Sequence, residues 1–161
     1  MNTVTINHPQ IKIIPPILFA AYVGLGLLAN SLFPYSAIGS GMTWLSVVAE
    51  LMMLEAAIII MMAMRSFRKS ATPVATWKPA VSLLTTGIFR FSRNPIYLGM
   101  LLAYIGLALL LVNIWLLLLT IPLYLQLLQG VILKEEYYLA QTFAKDYLDY
   151  KTRVNRWISF K

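Results

Sequence analysis

From Pro95 to Gln129 the chain runs for 35 residues without a charged side chain. As one straight helix, at roughly 1.5 Å per residue, this run would overshoot a hydrocarbon layer of about 30 Å. Val112-Asn113 falls near its middle. The run therefore reads as two helices of roughly 17 residues each, joined by a tight turn. Such a hairpin returns the chain to the side it left. Gly99, Ala103 and Gly106 recur at i, i+4 and i+7, a small-residue stripe that lets another helix approach closely. Pro122 is placed to kink the second arm. Gln126 and Gln129 lie one turn apart near its end, beside Gly130, where amides serve either to bind helices together or to line a pocket.

Two more apolar runs precede the hairpin, Ile14 to Leu32 and Leu45 to Met64. Hydrophobic residues make up 60% of the 161 and charged residues 12%. A water-soluble chain this short cannot cover so much apolar surface, so the composition indicates an integral membrane protein of one domain, residues 1–161. The formal net charge of +7 is explained by Lys and Arg held on the cytoplasmic side, and nucleic acid is not an expected partner. Cysteine is absent, which excludes disulfides and thiolate nucleophiles. With His8 the single histidine, no metal site is expected.

Pro15 and Pro16 open the first run, where proline is tolerated. A cleavable signal is the competing reading of this run, with Lys12 before it and Ala29 near its end. Phe33 to Thr43, with Pro34, Gly39 and Gly41, reads as a tight non-cytoplasmic connection, and Trp44 suits an interface. The second run contains Glu50 and Glu55. Their directions differ by roughly 140° on a helix, so they do not face one point. Intramembrane carboxylates are costly: each is either protonated or hydrogen-bonded to a neighbour, or Glu55 helps hold a cationic ligand. Met52, Met53, Met61, Met62 and Met64 read as adaptable packing.

Arg65 to Asn94 holds Arg65, Arg68, Lys69, Lys78, Arg90 and Arg93 and no acid. The excess places this loop in the cytoplasm. Pro73, Trp77 and Pro79 argue against a continuous helix. Lys134 to Lys161 is polar again and reads as a helix from about Lys134 to Tyr150, with Tyr137, Tyr138, Phe143, Tyr147, Tyr150 and Trp157 as interfacial anchors. The expected fold is all-α and integral to the membrane: four transmembrane helices, a hairpin of spans 3 and 4, a C-terminal cytoplasmic interfacial helix, and both termini cytoplasmic.

No P-loop and no dinucleotide-binding glycine motif is present, and one histidine without cysteine leaves little room for a nucleophilic triad. What remains is a constellation at the cytoplasmic surface. Arg90 and Arg93 supply fixed charge, Asn94 supplies an amide, and Pro95 opens a helix. Glu135-Glu136 stand just past the hairpin, which brings them back beside Arg93-Asn94. Such a site suits a zwitterionic ligand, with a guanidinium for a carboxylate, acids for hydroxyls or an ammonium, and aromatic faces for a cation.

The stretch T-T-G-I-F-R-F-S-R-N-P-I-Y-L-G, the apolar hairpin, E-E, and F-A-K-D-Y-L-D-Y-K-T-R-V-N-R-W-I resemble, in this order and spacing, the isoprenylcysteine carboxyl methyltransferases and their phospholipid N-methyltransferase relatives. The resemblance covers roughly residues 65–158. It implies a membrane methyltransferase that uses S-adenosylmethionine without a Rossmann fold, the cofactor sitting at the cytoplasmic end of the hairpin. It implies a cofactor site of Leu83, Leu84, Phe89, Asn94, Pro95, Tyr97, Gly99 and Glu135. Arg93 matches the arginine at the reacting centre. The chain departs from its relatives in having Asn94 where many have histidine, Val131 where the isoprenylcysteine enzymes have a substrate-binding arginine, and Asn155 where proline often precedes the final Arg-Trp pair.

The resemblance implies in-line methyl transfer to an amphipathic or lipid-like acceptor entering from the bilayer, with membrane lipids as surroundings. Glu136 is the expected proton acceptor for an amine, with Glu55 as the other candidate, and Glu55, Gln126 and Gln129 are expected to contact the acceptor. Two readings of other classes stand beside it: a non-catalytic membrane scaffold of the same fold, and a small transporter using Glu50 and Glu55.

Overall fold

The computed structural model describes residues 11, 13–35, 43–74 and 78–160. His8, Lys12, the Gly39 and Gly41 connection and Trp77 lie outside the described residues. The described chain is helical without strands: α1 (Pro15–Leu32), α2 (Thr43–Lys69), a 3-10 turn (Gly87–Arg90), α3 (Pro95–Leu110), α4 (Ile114–Leu127), a π turn (Leu128–Ile132) and α5 (Leu133–Arg153). Three helices are long and apolar enough to cross a membrane: α1, α2 from Trp44, and the continuous Ile114–Arg153 rod, whose apolar half ends at Ile132. α3 is a shorter apolar helix of 16 residues.

The long apolar run does divide at Val112-Asn113. Val112 takes a left-handed φ of 49°, unusual for a β-branched residue and the cost of a turn this tight. Asn113 is fully buried there and fully used. Its Oδ1 accepts from the Leu116 N–H at 3.2 Å, capping α4, and its Nδ2 donates to the Gly26 carbonyl at 3.4 Å. A polar residue inside so apolar a run is stable because both ends of its amide are bonded.

The small-residue stripe of α3 receives α2. A Cβ on Gly99 would stand 3.1 Å from the Ala56 carbonyl oxygen, and one on Gly106 3.0 Å from that of Ala49. On α2 the buried residues Ala49, Ala56 and Ala63 recur every seventh position and complete the seam. On the other side, α1 lies against α4, where a side chain on Gly26 would collide with Leu116. The Tyr104 hydroxyl ties α3 to α1 by donating to the Tyr22 carbonyl at 3.3 Å.

The polar end departs from expectation in two ways. α2 continues to Lys69, so Arg65, Arg68 and Lys69 extend a helix rather than a loop. The last helix is not a separate piece, because α4 passes through the π turn into α5 without a break. Pro122 lies inside α4, but the backbone changes ladder at Leu128–Ile132 and again at Ala144, where φ is 41° and ψ is −114°.

Candidate functional site

Three polar segments meet where the hairpin ends. The turn before α3 brings Ser92, Arg93 and Asn94. α5 brings Glu135 and Glu136 on its first turn. Beyond α5, the tail from Val154 to Phe160 returns across that turn. The Arg93 N–H donates to the Asn155 carbonyl at 3.2 Å and the Ser159 N–H to the Phe91 carbonyl at 2.7 Å. The Asn94 Nδ2 donates to the Arg156 carbonyl at 3.3 Å. Asn94 therefore works as a latch on the tail. The departure at Asn155 has a structural reason as well: its backbone N–H donates to Ser159 Oγ at 2.6 Å, a bond that proline has no hydrogen to make.

At the centre lies an ion-paired set. Arg93 Nη1 is 3.2 Å from Glu136 Oε1, with the two side chains only 7% and 9% exposed. Arg156 grips the same carboxylate in a bidentate pair, Nε to Oε1 at 2.9 Å and Nη2 to Oε2 at 2.8 Å. Arg93 Nη1 also donates to the Tyr147 hydroxyl at 3.1 Å. Eleven residues of straight helix would separate Glu136 from Tyr147 by about 16 Å along the axis. The kink at Ala144 shortens that span and brings both within reach of one guanidinium. The Arg93 Nε–H, buried, has no hydrogen-bond partner among the described residues.

Glu135 stands in a different environment. Its Oε2 accepts from the Tyr97 hydroxyl at 2.9 Å, the single hydrogen bond to this carboxylate among the described residues. Burial pushes Glu135 up to about 7; the Tyr97 bond opposes that rise and the Glu136 charge adds to it. Burial also acts to raise Glu136, but the Arg156 hydrogen bonds and the charges of Arg93, Arg156 and Lys151 outweigh it and hold Glu136 below the usual carboxylate range. Burial pushes the Tyr147 hydroxyl up to about 12, with Glu136 adding and Arg93 opposing.

These groups border one cavity of about 900 Å³, counting its open mouth. Arg93, Glu135 and Glu136 line it on the polar side, and Leu83, Leu84 and Phe89 on the apolar side. Asn94, Pro95 and Tyr97 form the wall where α3 begins. Residues 72–74 and 78–84 lie over it, fastened by the Thr72 and Ser82 hydroxyls at 2.8 Å and by the Ala80 N–H donating to the Tyr138 hydroxyl at 3.1 Å. Phe89 is fixed by its edge-on contact with Phe67 and by the Tyr150 hydroxyl, which donates to its carbonyl at 2.6 Å.

Four residues expected at the site lie elsewhere. Gly99 is one turn deeper, in the α2 seam. Glu55 on α2, Gln126 on α4 and Gln129 in the π turn are exposed and do not border the cavity, nor does Glu50. α2 turns its alanine stripe inward, which leaves both of its acids on other faces. Three tyrosines expected as surface anchors, Tyr138, Tyr147 and Tyr150, are instead buried in the cavity wall, while Tyr137 is 59% exposed. Tyr147 and Tyr150 at i and i+3, one turn beyond Phe143, form a helical stripe that marks a buried face. Arg156 carries no local signal of its role, because its partner Glu136 stands twenty positions earlier.

Comparison with known families agrees with this geometry. A family model described as phospholipid methyltransferase matches residues 44–146, from the start of α2 into α5 beyond Glu135 and Glu136. No curated protein and no solved structure matches the chain. The match covers more than half of the sequence, including the Arg93 turn and the Glu135-Glu136 start of α5, and the chain belongs to the phospholipid methyltransferase family.

Proposed function

We propose that this protein is an S-adenosylmethionine-dependent methyltransferase embedded in the membrane by four spans, with its cavity and both termini on the cytoplasmic side, and that its acceptor is an amphipathic lipid carrying a headgroup amine. The observation that carries the reading is the Arg93–Glu136 pair, 3.2 Å apart at the wall of one cavity. The exposed basic residues Arg65, Arg68, Lys69, Lys78 and Arg90 gather at this end, which favours the cytoplasmic side.

The residues present fit the cofactor. It has a carboxylate, for which the Arg93 guanidinium on the polar wall supplies charge. It has hydroxyls and an ammonium, for which Glu135 retains an unbonded oxygen. It has an adenine ring, for which Leu83, Leu84 and Phe89 are an apolar wall. Asn94, Pro95 and Tyr97 complete the cofactor wall. When bound, S-adenosylmethionine supplies a methyl group on a sulfonium. The protein's part is to hold donor and acceptor in line and to exclude water, and such positioning supplies about 7–11 kcal/mol.

The acceptor follows from two observations. The family is described by phospholipid methylation. Val131, fully buried in the apolar core, offers no charge to an acceptor carboxylate, which disfavours an isoprenylcysteine-like substrate. Glu50 and Glu55 face away from the cavity, and nothing in their placement favours transport. Calorimetric titration of the purified protein in lipid nanodiscs with S-adenosylmethionine tests the proposal. Saturable binding is expected in the wild type, weakened in Glu135→Ala; absence of binding in the wild type contradicts the proposal.

A further inference from the structure

Of the exposed basic residues gathered at the cavity end, Arg65, Arg68, Lys69, Lys78 and Arg90, Lys78 alone borders the cavity among the described residues. The other lining cation, Arg93, is engaged with Glu136 and Tyr147. Lys78 is not engaged. All six acidic side chains of the chain are among the described residues, and Lys78 pairs with none of them. Its backbone is nevertheless held. Two residues on, the Ala80 N–H donates to the buried Tyr138 hydroxyl at 3.1 Å, and the Thr72 and Ser82 hydroxyls meet at 2.8 Å. Pro79 fixes its own φ and narrows the backbone of the residue before it. An unpaired cation thus stands on a fastened segment at the edge of the site. We infer that Lys78 binds the phosphate of the acceptor headgroup, an assignment that rests on the methyltransferase reading given above.

Methyl transfer needs such an anchor. The attacking nitrogen must turn its lone pair to the donor methyl, so it is not free to be gripped through that lone pair. In-line geometry then comes from a part of the acceptor that does not react, and binding energy from such a remote group is what positions a substrate. In a primary-amine phospholipid the phosphate is the charged group nearest the amine. A lysine ammonium is a compact point charge with three rotatable donors, suited to a phosphate oxygen. The cofactor does not compete for it, because Arg93 answers the cofactor carboxylate. Pro73 and Val74 line the cavity close to Lys78 in sequence and offer apolar surface to the part of the lipid beyond its headgroup. Arg65, Arg68, Lys69 and Arg90, which do not border the cavity, attract anionic lipid in general without orienting one headgroup.

The test uses the full chain in maltoside micelles with methyl-labelled S-adenosylmethionine and two acceptors, a short-chain primary-amine phospholipid and an alkylamine without phosphate. The wild type is expected to prefer the phospholipid. In Lys78→Gln that preference, as a ratio of kcat/KM values, should fall roughly tenfold, chiefly through KM for the phospholipid. Lys78→Arg should restore most of it. Arg68→Gln removes the same charge outside the cavity and should leave the preference in place. Calorimetric titration is a readout without turnover: affinity for the phospholipid should drop in Lys78→Gln, while affinity for S-adenosylmethionine stays at the wild-type level. An active wild type that lacks the preference, or whose preference and phospholipid affinity survive Lys78→Gln, overturns the inference alone. So does an equal loss in Arg68→Gln, which makes the effect one of bulk charge. So does a parallel fall in cofactor affinity in Lys78→Gln, which places Lys78 on the cofactor carboxylate. A wild type that neither binds S-adenosylmethionine nor labels either acceptor overturns the methyltransferase reading itself.

Discussion

Arg93 and Glu136 come from opposite ends of the apolar hairpin and meet at 3.2 Å, buried to within a tenth of their side-chain surface. The pair is unequal in its support. Glu136 has a second guanidinium in Arg156, whereas Arg93 has Glu136 as its only ion-pair partner among the described residues. Glu136→Ala therefore strands a buried cation, and breaking a buried pair in this way costs about 3–5 kcal/mol. Arg93→Ala leaves the Glu136–Arg156 bridge intact and should unfold at a temperature close to that of the wild type. Methyl transfer is expected to be lost in both variants. Thermal unfolding in detergent separates them, and equal destabilisation contradicts the asymmetry.

Glu135 should make stability depend on pH in the direction opposite to most carboxylates. Its folded-state value of about 7 lies above the ordinary value of 4.5. The native state thus binds more protons than the unfolded state between those limits, and stability falls as pH rises through them. The loss amounts to something on the order of 3 kcal/mol. Unfolding of wild type and Glu135→Gln measured from pH 4 to 8 checks this: the variant should gain on the wild type as pH rises. Glu136 works the other way, its contribution being present above the usual carboxylate range and lost as pH falls through its lowered folded value.

Ala144 holds the kink of α5 at φ 41° and ψ −114°. Glycine adopts this geometry freely, and a non-glycine residue in such a region costs about 1–3 kcal/mol. Ala144→Gly should raise the unfolding temperature and leave methyl transfer intact, because the kink that carries Tyr147 to Arg93 is kept. Ala144→Val should do the reverse.

The α2–α3 seam admits no side chain at Gly106, where a Cβ would lie 2.8 Å from Met53 Cγ and 3.0 Å from the Ala49 carbonyl oxygen. Gly106→Leu must push the helices apart and should cost at least the roughly 1–3 kcal/mol of an overpacked core. A variant as stable as the wild type contradicts the close approach.

Much of this architecture is legible in the sequence because the membrane simplifies it. Run length locates the helices, and Val112-Asn113 marks the turn because an amide so deep must be bonded. The convergence of Arg93 and Glu136 follows from the hairpin alone. Helix faces are a different matter. α3 and α4 are apolar all round, so periodicity does not tell which side is covered, and Gln126 and Gln129 do not border the pocket their amides suggest. The same holds for Glu55: the alanine stripe of α2, not its acids, selects the inward face. The tyrosines of α5 were ambiguous because one amphipathic ring suits both an interface and a cavity wall. The kink at Ala144, which decides the matter for Tyr147, has no glycine or proline to announce it.

The cavity between the Arg93 turn and α5 is proposed to transfer methyl groups to lipid. Purified protein reconstituted in amine-phospholipid vesicles, incubated with methyl-labelled S-adenosylmethionine and extracted with solvent, tests it most directly. Label in the lipid phase, absent with Arg93→Ala, is the predicted result. A lipid phase that stays unlabelled with folded wild-type protein contradicts the account.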